Sequence, residues 1–431
     1  MSQFRLARIS LILAALGLNA APVLLSSAHA EDKPAAKAEA PKDQVRPEIF
    51  KLVDTTAIKD LMAKKNFAEV ESRIKQAEAM PNLNPYEQYV LTRLRIALGS
   101  ATQNEPMTMA ALEAAIASGR LEKKEEAEFT NVLANSYYNA KNYPKAIETY
   151  KRYQQISETP QKVRSALVRA YYLSGNFAAA RDELQPVIAE AEKSGKSPEP
   201  EDLKLLVSSA GKLKDWNAYV AGLEKLVAIA PNDDYWTDLL NRVQSKPGYN
   251  NRHQLDFYRL QNSAIKTMAP EEYTEMAELA LVAGFPTEAK KALDQGFDAG
   301  VLGTGGNAAK HKALRDKANK GAADDAKNIA SGEASAAKAK DGTGLVNLGY
   351  AYVTMGEFDK GIKFMEQGIA KGLDKKADEA KLHLGVAYAK AGRKADAIKV
   401  FEGLKGNDGL TDLAKYWTLL LNSQDKAVAA K

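Results

Sequence analysis

Apolar and small residues recur along the chain at the spacing of paired helices, most clearly between residues 132 and 191. Within this stretch, large apolar side chains return every three or four positions in short segments, which predicts amphipathic helices separated by tight turns. A second copy of the pattern follows 34 residues after the first, pairing Leu133 with Leu167, Tyr137 with Tyr171, Tyr143 with Phe177, Ala146 with Ala180 and Tyr150 with Leu184. One such hairpin leaves half of its apolar surface uncovered, so neighbouring hairpins must stack.

The same pattern extends over most of the chain. An asparagine precedes an aromatic residue at the turn in Asn66-Phe67, as it does in Asn142-Tyr143 and Asn176-Phe177. We expect about ten helix hairpins, with an N-terminal array over residues 48–302 and further clear repeats over 343–407. A last helix within 408–431 is expected to cover the exposed face of the final repeat, as terminal helices of stacked repeats do.

Residues 303–342 fit this pattern least well. They are rich in Ala, Lys, Gly and Asp, and Leu314 and Ile329 are their only large aliphatic side chains. The length suits one degenerate hairpin with a break at Gly321. A flexible hinge is the alternative.

The N-terminus has the features of an export signal. Arg5 and Arg8 precede a short apolar run, and Ala28-His29-Ala30 offers small residues for cleavage after Ala30. Residues 1–30 are therefore interpreted as a signal peptide and the protein as periplasmic. Residues 31–47, rich in Ala, Lys, Glu and Pro, are interpreted as a disordered linker.

Composition narrows the class of protein. Of 431 residues, 45% are hydrophobic and 27% are charged, which is typical of a folded domain. No cysteine is present, so packing alone must hold the fold. Removal of the signal with Arg5 and Arg8 leaves 58 basic and 55 acidic side chains. This balance argues against nucleic acid as a partner, and we expect no stable membrane insertion after cleavage.

Two segments near the C-terminus identify a family. Leu348-Gly349 is followed by Tyr352, and Leu384-Gly385 is followed by Tyr388, at an offset of 36 residues. With the turn aromatics, the small contact residues and a closing proline at Pro231, these segments resemble the tetratricopeptide repeat family. The resemblance implies a right-handed α-solenoid that binds partner proteins on its concave face.

A looser similarity concerns exported bacterial repeat proteins with a tail like Asp412–Trp417, some of which accompany TonB-type energy-transduction systems. In the family, the concave face is lined by the first helix of each hairpin. Asn131 and Asn135 lie four residues apart, so their amides share a helix face and suit a peptide backbone, while Arg169 suits a carboxylate. The complete predicted partner-binding set is Asn131, Asn135, Tyr138, Asn139, Lys162, Ser165, Arg169 and Tyr172.

The family's carboxylate clamp is not reproduced, because the corresponding positions hold Ala166, Glu201 and Leu205. This departure argues against recognition of an acidic C-terminal tail. A merely solvated groove is the alternative interpretation of the predicted set.

Signs of catalysis are lacking in the sequence. After the signal, the histidines His253, His311 and His383 have no metal-ligand spacing. Gly303-Thr-Gly-Gly306 lacks the ending of a phosphate loop. We therefore expect no enzyme activity, cofactor or metal. The leading hypothesis is an adaptor for an envelope protein or extended peptide; the alternative is a structural spacer or self-associating assembly factor of the cell envelope.

Overall fold

A computed structural model describes residues 44–373, 376–406 and 408–429. The predicted signal peptide and residues 31–43 of the predicted linker lie outside this part of the chain. Within the described ranges the fold is all-α, and most helices pack against a neighbour in sequence within the same unit. The prediction of stacked helix hairpins without β-strands is confirmed.

The chain divides into two compact units at the boundary between Gln185 and Pro186, inside helix α9. The first unit contains α1 (Pro47–Val53), α2 (Thr55–Ala63), α3 (Phe67–Glu78), α4 (Pro85–Thr102), α5 (Glu105–Ala117), α6 (Lys123–Asn139), α7 (Tyr143–Ile156), α8 (Arg164–Leu173) and the first half of α9 (Phe177–Lys193). A short 3-10 turn, Pro160–Val163, leads into α8.

The second unit takes up the rest of α9 and continues to the C-terminus. Its helices are α10 (Pro200–Leu213), α11 (Trp216–Ile229), α12 (Asp233–Gln244), α13 (Gln254–Ala264), α14 (Pro270–Val282), α15 (Pro286–Asp298), α16 (Ala308–Asn328), α17 (Glu333–Lys338), α18 (Thr343–Met355), α19 (Phe358–Lys371), α20 (Ala377–Lys390), α21 (Lys394–Glu402) and α22 (Leu410–Ala429).

One turn geometry recurs in most hairpins. Lys141 has a left-handed backbone (φ 60°), and the next N–H, of Asn142, bonds to the carbonyl of Tyr137 at 2.9 Å. Gly175 (φ 81°) and the following residue repeat this geometry one period later. The bond closes the first helix of the hairpin as a Schellman motif, and the second helix begins two residues after the left-handed residue. The equivalent left-handed residues elsewhere are Lys65, Gln103, Lys214, Gly284, Gly356 and Gly392.

Most of the positions that define the 34-residue period form the core of their hairpins. Leu133 and Leu167 are buried, as are Tyr137 and Tyr171. Ala146 and its counterpart are each 0% exposed, so a larger side chain at either position would push two helices apart. The sequence pattern therefore identifies the buried face of these helices correctly.

Packing in the first unit begins before α1. Val45 is buried, and Arg46 donates from Nε to Oε1 of Glu87 on α4 at 2.8 Å. Burial would raise the pKa of Glu87, but hydrogen bonds from Arg46 and from the Asn84 N–H outweigh it and lower that pKa. Residues 44–47, assigned from sequence to the linker, thus belong to the packed unit.

Residues 303–342 are helical, and the break expected at Gly321 is wrong. Helix α16 continues through this glycine for 21 residues. A Cβ at Gly321 would lie 2.7 Å from Cβ of Pro286, so the glycine lets α16 approach α15 closely. Arg315 of α16 pairs with Asp294 of α15 at 2.6 Å.

Two pairs of glycines bring α18 and α19 close together. A Cβ added to Gly349 would lie 2.5 Å from the carbonyl oxygen of Gly361. A Cβ added to Gly361 would likewise lie 2.5 Å from the carbonyl oxygen of Gly349. Gly342 and Gly368, seven residues to either side, show a similar approach. Side chains larger than hydrogen have no room at these positions, which explains the glycines of this repeat.

Helix α22 makes more contacts than a cap for the last repeat requires. It packs on α21, where Trp417 stacks on Phe401, and also on α11, α13 and α20. Tyr416 donates to Oε1 of Glu224 on α11 at 3.0 Å. The sequence pattern did not predict these contacts with earlier helices of the second unit.

A largely buried group of charged and polar residues joins α13, α15, α18 and α20. We call Asp256, Arg259, Glu288, Tyr350 and His383 the Arg259 cluster. The guanidinium of Arg259 donates to Oδ1 of Asp256 at 2.6 Å and to Oε2 of Glu288 at 2.7 Å. It also lies 4.5 Å from the ring centre of Tyr350. Nε2 of His383 lies 2.8 Å from the same Asp256 oxygen.

The carboxyl groups of the Arg259 cluster remain ionised despite burial. Burial alone would raise the pKa of Asp256, but the charges of His383 and Arg259 outweigh it and hold that pKa well below its ordinary value. The pKa of Glu288 is lowered in the same way, mainly by Arg259 and then by Lys390. Each buried charge thus has a partner, which is the condition for such groups to be tolerated.

Candidate functional site

The predicted partner-binding residues lie on three consecutive elements of the first unit. Helix α6 carries four of them, the 3-10 turn carries Lys162, and α8 carries the other three. Asn139, Lys162, Ser165 and Arg169 are exposed, while the remaining members are half-buried.

The two asparagines on α6 contact each other and the next helix. Nδ2 of Asn135 donates to Oδ1 of Asn131 at 3.2 Å. Oδ1 of Asn135 accepts a hydrogen bond from the hydroxyl of Tyr150 on α7 at 2.7 Å. Burial raises the pKa of Tyr150 well above its ordinary value, so the hydroxyl remains a donor. The Asn135 amide therefore links the two helices of its own hairpin.

The two tyrosines of the predicted set pack on the aromatic residue of their own turn. The ring centres of Tyr138 and Tyr143 are 5.7 Å apart with an interplanar angle of 68°. Those of Tyr172 and Phe177, one period later, are 5.3 Å apart at the same angle. Such edge-to-face pairs are favourable, and here they fix the tyrosine rings beside the turn.

A cleft of about 390 Å³ brings Asn131 and Lys162 together. It lies between the start of α6, the end of α7 and the 3-10 turn. The other residues that line it are Lys123, Lys124, Ala127, Glu128, Tyr153, Ile156, Ser157, Glu158 and Thr159. We call it the Asn131 cleft. Asn135, Tyr138, Asn139, Ser165, Arg169 and Tyr172 do not line it.

The Asn131 cleft offers both signs of charge and several hydrogen-bonding groups. Three lysines and two glutamates surround an apolar floor that includes Tyr153 and Ile156. The hydroxyl of Tyr153 lies 3.2 Å from that of Thr159, which orders the end of α7. An amide, hydroxyls and charges around an apolar floor suit a peptide, whose backbone needs donors and acceptors alike.

A second cleft in the first unit, of about 340 Å³, was not predicted. It lies between α5, α6 and α7 and includes Glu113, Lys145, Glu148 and Arg152. Nζ of Lys145 lies 3.2 Å from the hydroxyl of Tyr137 and 3.5 Å from Oε1 of Glu113. The lining has two acidic and two basic side chains, so its charges balance. Lys145 already contacts two residues of the fold.

A third cleft, of about 500 Å³, lies in the second unit between α10, α11 and α12. Trp216, Tyr219 and Tyr235 line it with Arg242. The sequence analysis assigned no role in binding to Trp216. The signal that could have marked it is the tryptophan itself, since turn aromatics in the other hairpins are Phe or Tyr.

The described residues contain no group of three or more His, Asp or Glu side chains placed to hold a metal ion. The histidines instead contact neighbours in the second unit: Nε2 of His253 lies 3.1 Å from Oδ2 of Asp408, and Nδ1 of His311 accepts from the Gly303 N–H at 3.2 Å. Among the helices of the described ranges, none is both long and apolar enough to cross a membrane.

Comparison with known proteins agrees with the repeat geometry. A family model described as Tetratricopeptide repeat matches residues 110–161 and 346–409, which fall on α5–α7 and α18–α21. The chain therefore carries helical repeats, and in these two regions they are tetratricopeptide repeats. No curated protein matches the chain.

Among solved structures, the chain is similar to the complex of the TPR2AB domain of yeast Sti1 with pHSP90. The two share 14% sequence identity, and the match covers 70% of this chain and 99% of that one, with a TM-score of 0.23. A TM-score of this size does not establish a common arrangement of the repeats.

Proposed function

We propose that this protein is a non-enzymatic adaptor that holds a partner protein or an extended peptide on its repeat helices. The tetratricopeptide repeats at residues 110–161 and 346–409 support the general role, because stacked helix hairpins present extended binding surfaces. The observation that carries the proposal is the Asn131 cleft, where two independently predicted binding residues line one cavity.

The cleft suits a peptide better than a small charged metabolite. Its lining places lysines and glutamates around an apolar floor. The lysines can bind the carbonyl oxygen of a peptide group or an acidic side chain, and the glutamates can bind the N–H of a peptide group or a basic side chain. Asn131 supplies both a donor and an acceptor, although Oδ1 already accepts from Asn135. Lys162 is exposed and supplies a cation at the mouth of the cleft.

We further propose that the adaptor acts in the bacterial periplasm. The support is the signal-like sequence of residues 1–30 with its small residues before Ala30. The partner would then be an envelope protein, and a TonB-type energy-transduction complex is the assembly suggested by the C-terminal resemblance.

Affinity capture tests the proposal. The chain from residue 31, carrying a C-terminal tag, is incubated with envelope extract of the bacterium that produces it, and captured proteins are identified by mass spectrometry. We expect a distinct partner, and we expect the double variant Asn131→Ala, Lys162→Ala to reduce its capture at least about fivefold, the effect of losing roughly 1 kcal/mol.

The control variant is Lys59→Ala, which removes an exposed lysine from α2 outside the three clefts. It should leave capture unchanged. Equal capture by the double variant and the parent would refute the assignment of the Asn131 cleft. Capture of only further copies of this chain would instead support the alternative role of a self-associating assembly factor.

A further inference from the structure

Trp216 is the exposed tryptophan of the chain. The sequence has three tryptophans, and the other two, Trp236 and Trp417, are 1% and 3% exposed. Trp216 is 46% exposed at the first position of α11. Tryptophan is the residue most enriched among energetic hot spots of protein interfaces, where it fills or forms a pocket.

The Trp216 ring is held in place by its neighbours. The guanidinium of Arg242 lies 4.3 Å from the ring centre, and the ring of Tyr219 meets it edge-on at 5.7 Å. Asp238 in turn accepts a hydrogen bond from the Tyr219 hydroxyl and lies 3.5 Å from Arg242. A ring fixed before binding loses little conformational freedom when a partner arrives, which favours affinity.

The cleft beside this ring is shaped by small and apolar residues. A Cβ on Gly211 would lie 3.1 Å from the Tyr219 ring, so the glycine allows that ring to lie close to α10. Val207 and Leu226, both buried, form the floor. The result is a cavity of about 500 Å³ with an apolar floor and aromatic walls, large enough for one or two partner side chains.

The charges of the lining distinguish this cleft from the two in the first unit. Its charged members are Lys204, Lys212 and Arg242, with no carboxylate among them. The other two clefts each include two glutamates. Lys204 pairs with Glu201 at 2.8 Å and Arg242 with Asp238, and neither acid lines the cleft. Within the part of the chain that the structure describes, Lys212 is the lining cation without such a partner.

We propose that this cleft, here named the Trp216 cleft, docks an internal segment of a partner protein that carries an aromatic side chain next to a carboxylate. The aromatic ring packs against Trp216 and Tyr235, and the carboxylate pairs with Lys212. The inference deepens the proposed adaptor function and rests on it, but it concerns a different unit of the chain from the Asn131 cleft.

Binding is tested with short peptides blocked at both ends, so that no terminal carboxylate contributes. The probe is a ten-residue peptide with alternating Phe and Asp pairs separated by Gly and Ser. One matched peptide replaces each Asp by Asn, and another replaces each Phe by Ala. Because the other two tryptophans are buried, quenching of tryptophan fluorescence by acrylamide reports mainly on Trp216.

We expect the Phe/Asp peptide to protect Trp216 from acrylamide, and both matched peptides to bind at least about fivefold more weakly. In calorimetry, Trp216→Ala should weaken binding of the Phe/Asp peptide at least about thirtyfold, the smallest loss that defines a hot spot. Lys212→Ala should weaken it about threefold to tenfold, and more at low salt than at high salt. Lys196→Ala, an exposed lysine outside the cleft, is the control and should bind as the parent does.

Equal binding of the Asp and Asn peptides, or unchanged binding by Trp216→Ala, overturns the inference. Equal binding of the peptide without Phe would show a site for anions only and would overturn it as well. These failures are distinguishable from failure of the adaptor proposal. If only this inference is wrong, the Trp216→Ala variant still captures an envelope partner through the Asn131 cleft. If the adaptor proposal is wrong, the parent chain captures no partner, whatever the peptide measurements show.

Discussion

The hydroxyl of Tyr150 donates a hydrogen bond to Oδ1 of Asn135 over 2.7 Å, joining α6 to α7. Tyr150 is 0% exposed, so water does not offer its hydroxyl an alternative partner. The amide of Asn135 is therefore part of the internal hydrogen bonding of the hairpin. From sequence alone the same residue was predicted to bind a partner directly.

Replacing Asn135 with Ala should destabilise the first unit more than it affects binding. The substitution leaves the buried Tyr150 hydroxyl without an acceptor, and an unsatisfied buried polar group costs about 1–3 kcal/mol. Urea denaturation followed by circular dichroism measures the loss. Arg169→Ala, at an exposed position of α8, is the control and should change the free energy of unfolding by less than about 0.5 kcal/mol.

A double-mutant cycle with Tyr150→Phe isolates this contact. If the hydrogen bond is the cause, Asn135→Ala should cost less when the hydroxyl is already absent, because no donor remains to be satisfied. Strictly additive losses would contradict the structural role assigned to Asn135.

Lys141 occupies a turn position that favours glycine. Its backbone is left-handed at φ 60°, a conformation that costs a residue with a Cβ about 1 kcal/mol relative to glycine. Lys141→Gly should therefore raise the melting temperature of the chain. The reverse change one period later, Gly175→Ala, should lower it by a similar amount, since a Cβ there meets no atom within 4 Å and backbone strain is the remaining effect. A lower melting temperature for Lys141→Gly would contradict the turn geometry.

The sequence was sufficient to predict the repeats because their information is local. Leu133 and Leu167 occupy equivalent buried positions, and helical spacing alone identifies that face. The matching of Lys141 with Gly175 was harder to recognise, because two dissimilar side chains share one backbone conformation. Gly321 misled the prediction, since a glycine inside a helix can serve a close approach as well as a break.

The parts of the fold that the sequence did not predict depend on contacts between residues far apart in sequence. His383 meets Asp256 across 127 positions, and nothing in the local pattern of either helix indicates the pairing. The same limit applies to the candidate site. Sequence placed Asn131 and Lys162 on plausible surfaces and both line one cleft, but it could not show that the amide of Asn135 is held by Tyr150.

Gly349 should tolerate no larger residue. Because its added Cβ would lie 2.5 Å from a backbone carbonyl of α19, Gly349→Ala must separate α18 from α19, and overpacking of this kind costs about 1–3 kcal/mol. Thermal unfolding of the full chain measures the effect. Gly332→Ala is the matched control, because its new Cβ meets no atom within 4 Å and its backbone is not left-handed. Equal stability of the two variants would show that α18 and α19 are not packed this closely.

The Arg259 cluster should make the second unit sensitive to acid. The pKa values of Asp256 and Glu288 are lowered in the folded protein, so both carboxylates stabilise the fold at pH values above their unfolded pKa of about 4. As the pH falls below that value, the unfolded chain takes up protons first, and the stabilisation is lost progressively toward the folded pKa values. Stability of the parent chain should therefore fall steeply between about pH 4 and pH 2.

Asp256→Asn tests the origin of this acid sensitivity. At pH 7 the variant should be less stable by about 3 kcal/mol, because it removes one carboxylate from a buried guanidinium. The difference from the parent should shrink as the pH falls below about 4, since the parent's own Asp256 then becomes protonated. Glu201→Gln, which changes an exposed carboxylate paired with Lys204, should leave the pH profile unchanged. Parallel profiles for the parent and Asp256→Asn down to pH 2 would show that the ionised Asp256 does not stabilise the contacts between α13 and α20.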